Sequence, residues 1–164
     1  MHDDVGREEG GVMSEPADTQ IALKEITKEN LRDILRLKVA PEQERLVAPN
    51  AVSIAQAYFD REIAWFRGIY AGDTPIGFVM LHDEPAERKY YLWRFMLDHR
   101  YQGRGYGAQA LTLVIQYVRG RPGAHEMLTS VVPGEGCPGA FYEKLGFAYT
   151  GEMEEGERVL RLAL

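Results

Sequence analysis

Hydrophobic positions along this chain switch between a period of two and a period of three to four, which predicts strands mixed with helices. Alternating or continuous apolar runs of strand length, bounded by Gly, Pro, Asp or Asn, mark seven segments. These predicted strands are 21–26, 65–70, 75–81, 90–97, 127–132, 147–152 and 158–162.

Apolar residues at helical spacing predict four helices. Thr27 lies where the first helix needs its N-cap, and Pro41 ends that helix. Ser53 is the predicted cap of a second helix that runs to Ile63. The other two helices are predicted over 105–119 and 140–145, and a following glycine suits the left-handed C-terminal position of the last one.

The order of these elements is β-α-α-β-β-β-α-β-α-β-β. Hairpins come first, and crossover helices follow them, which predicts a sheet that is neither wholly parallel nor wholly antiparallel. The expected fold class is therefore α/β (α+β), with a mixed central sheet of about seven strands and four helices.

A glycine-rich loop follows the strand that ends at Leu97. Glycines before a helix let backbone N–H groups approach a ligand, and the helix N-terminus favours an anion such as phosphate. Gly105-Tyr106-Gly107 lacks the Gly-Lys-Ser/Thr ending of a Walker loop. A dinucleotide fingerprint is formally present as Gly103-x-Gly105-x-x-Ala108, but most of a domain precedes it. A third interpretation is a pyrophosphate loop of the form Gln102-x-x-Gly105-x-Gly107, and an ordinary Gly-rich turn is the fourth.

Length, charge and cysteine content narrow the class of protein. The 164 residues suit one domain, expected over 21–164, with residues 1–20 forming an acidic, flexible tail. Six acidic residues and one arginine in that tail account for five of the six net negative charges. No basic surface suggests nucleic acid, and no apolar run suggests a membrane span. A polar N-terminus and the single Cys137 predict a cytoplasmic protein without a signal peptide or a disulfide.

Two motifs, together with the element order, resemble the GNAT superfamily of acetyl-CoA-dependent N-acetyltransferases over residues 21–164. The first is the strand and loop from Arg94 to Gly107, and the second is Phe141-Tyr142-Glu143-Lys144-Leu145-Gly146-Phe147, which is similar to a late motif of that family. The closest resemblance is to the bacterial polyamine and diamine acetyltransferase-like branch, on Leu92-Trp93-Arg94-Phe95, Tyr101-Gln102-Gly103 and Thr150-Gly151-Glu152 with Gly156-Glu157.

The resemblance implies an acetyl-CoA site. Backbone groups of Phe95, Met96 and Leu97 would pair with the pantetheine arm as an added strand does. Lys144 would reach a cofactor phosphate. The pyrophosphate would lie on the backbone N–H groups of Gln102, Gly103, Arg104, Gly105, Tyr106, Gly107 and Ala108.

Tyr142 is the expected catalytic residue, as the acid that protonates the leaving thiolate. A thiol pKa near ~8.5 and a phenol pKa near ~10 make tyrosine an adequate acid, so no metal and no covalent intermediate is needed. The alternative is structural: Phe141 and Leu145 would form the buried stripe of the helix, and Tyr142 would lie at its edge with a solvated hydroxyl.

The acceptor is expected to be a small-molecule primary amine, with a polyamine or diamine suggested by Glu42 and Glu44. Trp93 stands where some polyamine acetyltransferases carry a carboxylate base. It would shape the acceptor pocket and bind a cation over its ring, or it would simply be a buried core residue. The base is left open between a water chain and Glu42, Glu44 or Glu84.

Two rival functions remain. A non-catalytic acetyl-CoA-binding regulatory module would fit the missing carboxylate at Trp93, and the dinucleotide interpretation would require NAD. A homodimer is possible through the late strands, where Val159-Leu160 and residues 162–164 are apolar.

Overall fold

A computed structural model describes residues 19–164 of the chain. Its seven strands are β1 (Ile21–Lys24), β2 (Ala64–Ala71), β3 (Thr74–Glu84), β4 (Lys89–Leu97), β5 (Glu126–Val131), β6 (Ala148–Glu154) and β7 (Glu157–Ala163). Its helices are α1 (Leu31–Arg36), α2 (Asn50–Phe59), α3 (Tyr106–Arg119) and α4 (Gly139–Lys144), with short 3-10 turns at Pro41–Gln43, Pro85–Glu87 and His99–Tyr101. The predicted order and number of elements are confirmed.

The strands form one mixed sheet in the order β1-β2-β3-β4-β5-β7-β6. Neighbouring strands pair antiparallel except β4 and β5, which are parallel because α3 crosses over between them. The predicted sheet class is therefore correct, and the parallel pair lies at its centre.

Two hydrophobic layers cover the two faces of the sheet. On one face α3 buries Ala110, Leu111, Val114, Ile115 and Val118 against the larger cluster. On the other face, α1 and α2 cover a smaller cluster that contains Phe78, Met80 and Met96. Together these layers hold β4 and β5 in place from both sides.

Both N-cap predictions in the first helical region are wrong. Asn30 precedes α1, and its side-chain oxygen accepts the Thr27 N–H at 2.8 Å. α2 begins at Asn50, directly after Pro49, so Ser53 lies inside the helix, and α2 ends at Phe59 rather than Ile63. The buried amide of Asn50 donates to the carbonyl of Ile34 at 2.9 Å. This tertiary bond fixes the start of α2 and overrides the local capping preference.

The late strands are arranged differently from the predicted dimer surface. β7 lies between β5 and β6, and Val159, Leu160 and Leu162 are buried in the core of the chain itself. β6 is therefore the edge strand at this end of the sheet. The predicted acidic tail falls almost entirely outside the described residues. Among residues 19–164, no helix combines the length and apolar character that a membrane crossing requires.

Candidate active site

The parallel strands β4 and β5 separate partway along their length. They pair only at Tyr91 with Leu128 and Leu92 with Thr129, although β4 continues to Leu97 and β5 to Val131. Backbone N–H and C=O groups along the facing edges beyond this point lack their ladder partners, and such groups need others. A cavity of about 1100 Å³ opens at this gap.

Most of the predicted cofactor residues line this cavity. They are Phe95, Met96, Leu97, Gln102, Gly103, Gly105, Gly107 and Ala108. The side chains of Arg104, Tyr106 and Lys144 are not part of its wall, and those of Arg104 and Lys144 are exposed. The sequence therefore identifies the backbone of the site better than its charged side chains.

The glycine loop has the open conformation that an anion site needs. Gly103 and Gly105 have φ of 74° and 80°, and a Cβ added at either would meet nothing within 4 Å. Gly105 is the N-cap of α3, a helix of 14 residues whose first-turn N–H groups have no partner within the helix. A diphosphate fits there because the amides are accessible and the helix dipole is favourable.

Gly107 lies in the first turn of α3 and has a different role from the two loop glycines, because it is buried. A Cβ at this position would approach the Phe141 ring at 3.4 Å and Leu97 at 3.5 Å. Gly107, Leu97 and Phe141 all line the cavity, so a larger side chain at position 107 would enter the space that an extended, uncharged pantetheine chain would need.

Asp98 anchors the start of the loop. Its carboxylate is 2 % exposed and accepts hydrogen bonds from the Lys38 N–H at 3.0 Å and from Arg100 Nε at 2.8 Å. Burial opposes ionisation, but the hydrogen bonds from the Arg100 side chain and from the backbone of Lys38 and Arg100 dominate and lower the pKa of Asp98 to about 2. The carboxylate is therefore charged at neutral pH and holds the loop to the segment after α1.

Tyr142 lies in the wall of the cavity and is buried. Its ring packs edge-on against Phe141 and Phe147, at centroid distances of 5.2 Å and 5.5 Å. The alternative that placed Tyr142 at the edge of a stripe is wrong, because Phe141 and Leu145 are more exposed than it is. Burial raises the pKa of the phenol, and the Thr129 hydroxyl offsets only part of that shift. The phenol therefore stays protonated at neutral pH.

A β-bulge places Trp93 beside the gap. Arg94 pairs with Met80 and Leu92 with the next residue of β3, Leu81, so Trp93 is an extra residue in β4. The Arg94 guanidinium lies over the Trp93 ring at 5.7 Å and donates to Gln56 of α2 at 3.1 Å. Trp93 lines the cavity, and its role towards an acceptor stays a prediction.

The predicted carboxylates are distributed unevenly. Glu44 lines the cavity, but Glu42 is exposed and does not. Glu84 accepts from His82 Nε2 at 2.7 Å, and that histidine lies in the cavity wall. Of the candidate acids named from the sequence, only Glu44 therefore faces the cavity directly.

Three further glutamates line the cavity that sequence reasoning did not select as site residues: Glu154, Glu155 and Glu157, at the β6–β7 turn. The Tyr91 hydroxyl donates to Glu154 at 3.2 Å, and the Ser130 hydroxyl donates to Glu157. Lys89, Arg45 and Arg94 also line the cavity, so the excess of negative charge is local to this turn. In the sequence, these acidic residues look like those of any solvated hairpin turn. Their position beside the gap depends on the pairing of β7 with β5, which no local pattern shows.

Comparison with known proteins gives a consistent picture. A sequence model described as the acetyltransferase (GNAT) family matches residues 26–147. The spermine/spermidine N(1)-acetyltransferase of Bacillus subtilis (strain 168) is 28% identical over 149 residues, covering 85% of this chain and 96% of that protein.

Solved structures share the fold at lower identity. The PaiA N-acetyltransferase of Thermoplasma acidophilum, in complex with coenzyme A, has a TM-score of 0.66 at 17% identity and covers 88% of this chain and 99% of that one. A GNAT family acetyltransferase of Elizabethkingia anophelis with acetyl-CoA bound has a TM-score of 0.62 at 17% identity, covering 90% and 100%.

Proposed function

This chain belongs to the acetyltransferase (GNAT) family, and from that premise we propose that it is an N-acetyltransferase that moves the acetyl group of acetyl-CoA to a primary amine. The observation that carries the proposal is the gap between β4 and β5, which opens between the N-terminus of α3 and the buried phenol of Tyr142. Acetyl-CoA supplies a thioester, whose carbonyl an amine can attack without a metal.

The chain's own residues have separable tasks. The amides of the glycine loop and the first turn of α3 bind the diphosphate, and Lys144 and Arg104, both exposed, are left to contact phosphate from the rim. The edge of Phe95, Met96 and Leu97 that has no partner on β5 holds the extended pantetheine chain by backbone hydrogen bonds, except at the Leu97 carbonyl, which already accepts from Gln102.

Tyr142 holds a proton at its phenolic oxygen for the leaving sulfur. Because burial raises its pKa, the phenol cannot ionise at neutral pH and always presents this proton. The raised pKa also makes complete transfer to a thiolate less favourable than for a free phenol, so a strong hydrogen bond is part of its contribution.

The acceptor is a polyamine or diamine. The relative from B. subtilis is named for spermine and spermidine, and the glutamates of the β6–β7 turn offer negative charge on the acceptor side of the cavity. A second ammonium group of the acceptor would bind there while the reacting amine lies near Trp93. Tyr91 and Ser130 connect two of these carboxylates to β4 and β5, which makes them a route for the proton that the amine must lose.

A thiol-release assay with acetyl-CoA and a panel of amines tests this function. We expect turnover with spermidine or putrescine above that with amino acids, and no release from acetyl-CoA alone. Absence of release with every amine would contradict an active enzyme. Thermal stabilisation by acetyl-CoA and none by NAD would separate this function from dinucleotide binding.

The alternative is a regulatory module that binds acetyl-CoA without turnover. It is favoured by the bulge residue Trp93, because its indole cannot take the proton that an attacking amine must lose. Thermal stabilisation by acetyl-CoA, together with no thiol release in the presence of any amine, would support this alternative. The cytoplasmic location and the homodimer stay predictions.

A further inference from the structure

The segment between α1 and α2, which we call the arm (residues 38–49), forms one wall of the cavity. Its lining residues include Gln43, Glu44 and Leu46. The arm is not a free loop, because it is bonded to the loops on both sides of the β4–β5 gap. The nature of these bonds indicates a function for one residue that the sequence did not single out.

Gln43 and Gln102 form a reciprocal pair of side-chain amides. Gln43 Nε2 donates to Gln102 Oε1 at 3.1 Å, and Gln102 Nε2 donates to Gln43 Oε1 at 2.9 Å. The second proton of Gln102 Nε2 goes to the Leu97 carbonyl at 2.9 Å, and Gln43 Oε1 also accepts the Ala40 N–H at 3.1 Å. These partners fix the orientation of both amides, because reversing either one would oppose two donors or two acceptors.

Two further residues of the arm, Lys38 and Arg45, make hydrogen bonds to the loops on either side of the gap. The Lys38 N–H donates to Asp98, and the Lys38 carbonyl accepts the His99 N–H at 2.9 Å. Across the cavity, the Arg45 guanidinium donates to the carbonyl of Glu135, in the loop before α4. The arm therefore bridges the glycine loop and the loop that precedes Tyr142.

We propose that Gln43 is a positioning residue that couples the acetyl-CoA loop to the acceptor wall. The proposal rests on the function proposed above. Gln102 begins the glycine loop, and Gln43 holds it in the conformation that presents the following amides to the cavity. The next residue, Glu44, belongs to the acceptor wall. Binding of acetyl-CoA at the glycine loop should therefore order the acceptor wall and raise the affinity for the amine. By linkage, the amine should raise the affinity for acetyl-CoA by the same factor.

The first test uses the protein without ligand. Gln43→Met keeps the length of the side chain but removes its two hydrogen bonds with Gln102 and the one that it accepts from the Ala40 N–H. Trypsin can cut the arm after Lys38 and Arg45, which are exposed. We expect cleavage of Gln43→Met at these sites to be several-fold faster than in the wild type, because local opening costs less when the bonds are absent. Arg36→Gln is the control for a general change, because Arg36 is an exposed residue of α1 and its ion pair with Asp33 is 3.9 Å long.

The second test is a double-mutant cycle read by titration with coenzyme A. Gln43→Met and Gln102→Met should each weaken binding by roughly fivefold, the size expected for one or two neutral hydrogen bonds. The double variant should be no weaker than Gln102→Met alone, because the two side chains act as one unit. In steady-state assays, KM for both substrates should rise while kcat is largely kept. If Gln43→Met misfolds, Gln43→Asn, one methylene shorter, gives the same comparison.

The outcomes separate this inference from the proposed function. Wild-type affinity in Gln43→Met, or losses that multiply in the double variant, would overturn the role of Gln43. Failure of the wild type itself to bind coenzyme A would instead overturn the proposed function, and the trypsin rates would still show whether Gln43 holds the arm.

Discussion

The two halves of the cavity are built by different means. On the side proposed to bind acetyl-CoA, the wall is largely backbone: the open amides of Gly103 and Gly105 and the edges of β4 and β5 that lack ladder partners. On the side proposed to bind the acceptor, the wall is made of side chains from the arm, the bulge at Trp93 and the β6–β7 turn. Recognition by backbone needs particular local conformations, whereas recognition by side chains needs particular tertiary neighbours. The two halves should therefore respond to different kinds of mutation.

The largest effect is expected from adding a large side chain at Gly107, in the wall of the cavity. A leucine there would place its branch against Phe141 and Leu97, which a Cβ alone already approaches at 3.4–3.5 Å. We expect Gly107→Leu to weaken binding of coenzyme A on the order of a hundredfold, because the leucine occupies part of the cavity or displaces α4. Isothermal titration measures this.

Gly72→Leu is the control for the same side chain at another glycine, because Gly72 lies in the β2–β3 turn with open space around it, at a positive φ of 58° that Gly107 does not share. It should lose a little stability and keep wild-type affinity. Equal affinity in Gly107→Leu and the wild type would show that the pantetheine chain of acetyl-CoA does not pass beside position 107.

The second effect concerns how the loop is anchored. Asp98→Asn removes the charge that the guanidinium of Arg100 and the Lys38 N–H stabilise. The pKa of Asp98 is lowered in the folded state, so its contribution is full above the ordinary value near 3.8 and is lost as pH falls towards about 2. We expect the free energy of unfolding to fall by about 2 kcal/mol at pH 7.

Denaturant unfolding measured from pH 7 down to pH 2 should show this difference constant to about pH 4 and shrinking below it. Asp73→Asn is the control, because the Asp73 carboxylate is fully exposed and its ion pair with Lys24 is 3.8 Å long. A difference that shrank near neutral pH would mean that another group is titrating.

The difference between local conformation and tertiary neighbours also explains which features could be predicted from the sequence. The element order and the glycine loop were predictable, because positive φ and helix termini depend on residue types within a few positions. The burial of Tyr142 was not, since the orientation of a helix as short as α4 is decided by Phe147 and the sheet beneath it. The bulge at Trp93 and the Gln43–Gln102 pair depend on strand register and on residues 59 positions apart, and no local pattern encodes either.

The third effect lies where the two halves meet. Tyr142→Phe should lower turnover at least about tenfold while affinity for acetyl-CoA changes little, because only the proton for the sulfur is lost. Tyr70→Phe controls for loss of a phenolic hydroxyl, since Tyr70 is equally buried but belongs to the cluster under α1. Pre-steady-state and steady-state rates distinguish chemistry from product release. An unchanged rate would remove Tyr142 from the mechanism.

The smallest effect is expected on the acceptor side, where charge rather than fit is at stake. Glu154→Gln with Glu157→Gln keeps acceptors for the hydroxyls of Tyr91 and Ser130 but removes two negative charges from the rim. We expect KM for spermidine to rise about threefold at low salt, and less at high salt, because exposed charges are screened. Glu152→Gln is the control, because Glu152 lies on β6 like Glu154 but outside the cavity wall, and it should leave KM for spermidine unchanged. A monoamine should respond less than spermidine, since it has no second ammonium to place at the turn. An equal rise in KM for both amines would mean that these glutamates act on the reacting nitrogen itself. The acceptor side of the cavity would then be a path for the proton rather than a binding surface for a second ammonium group.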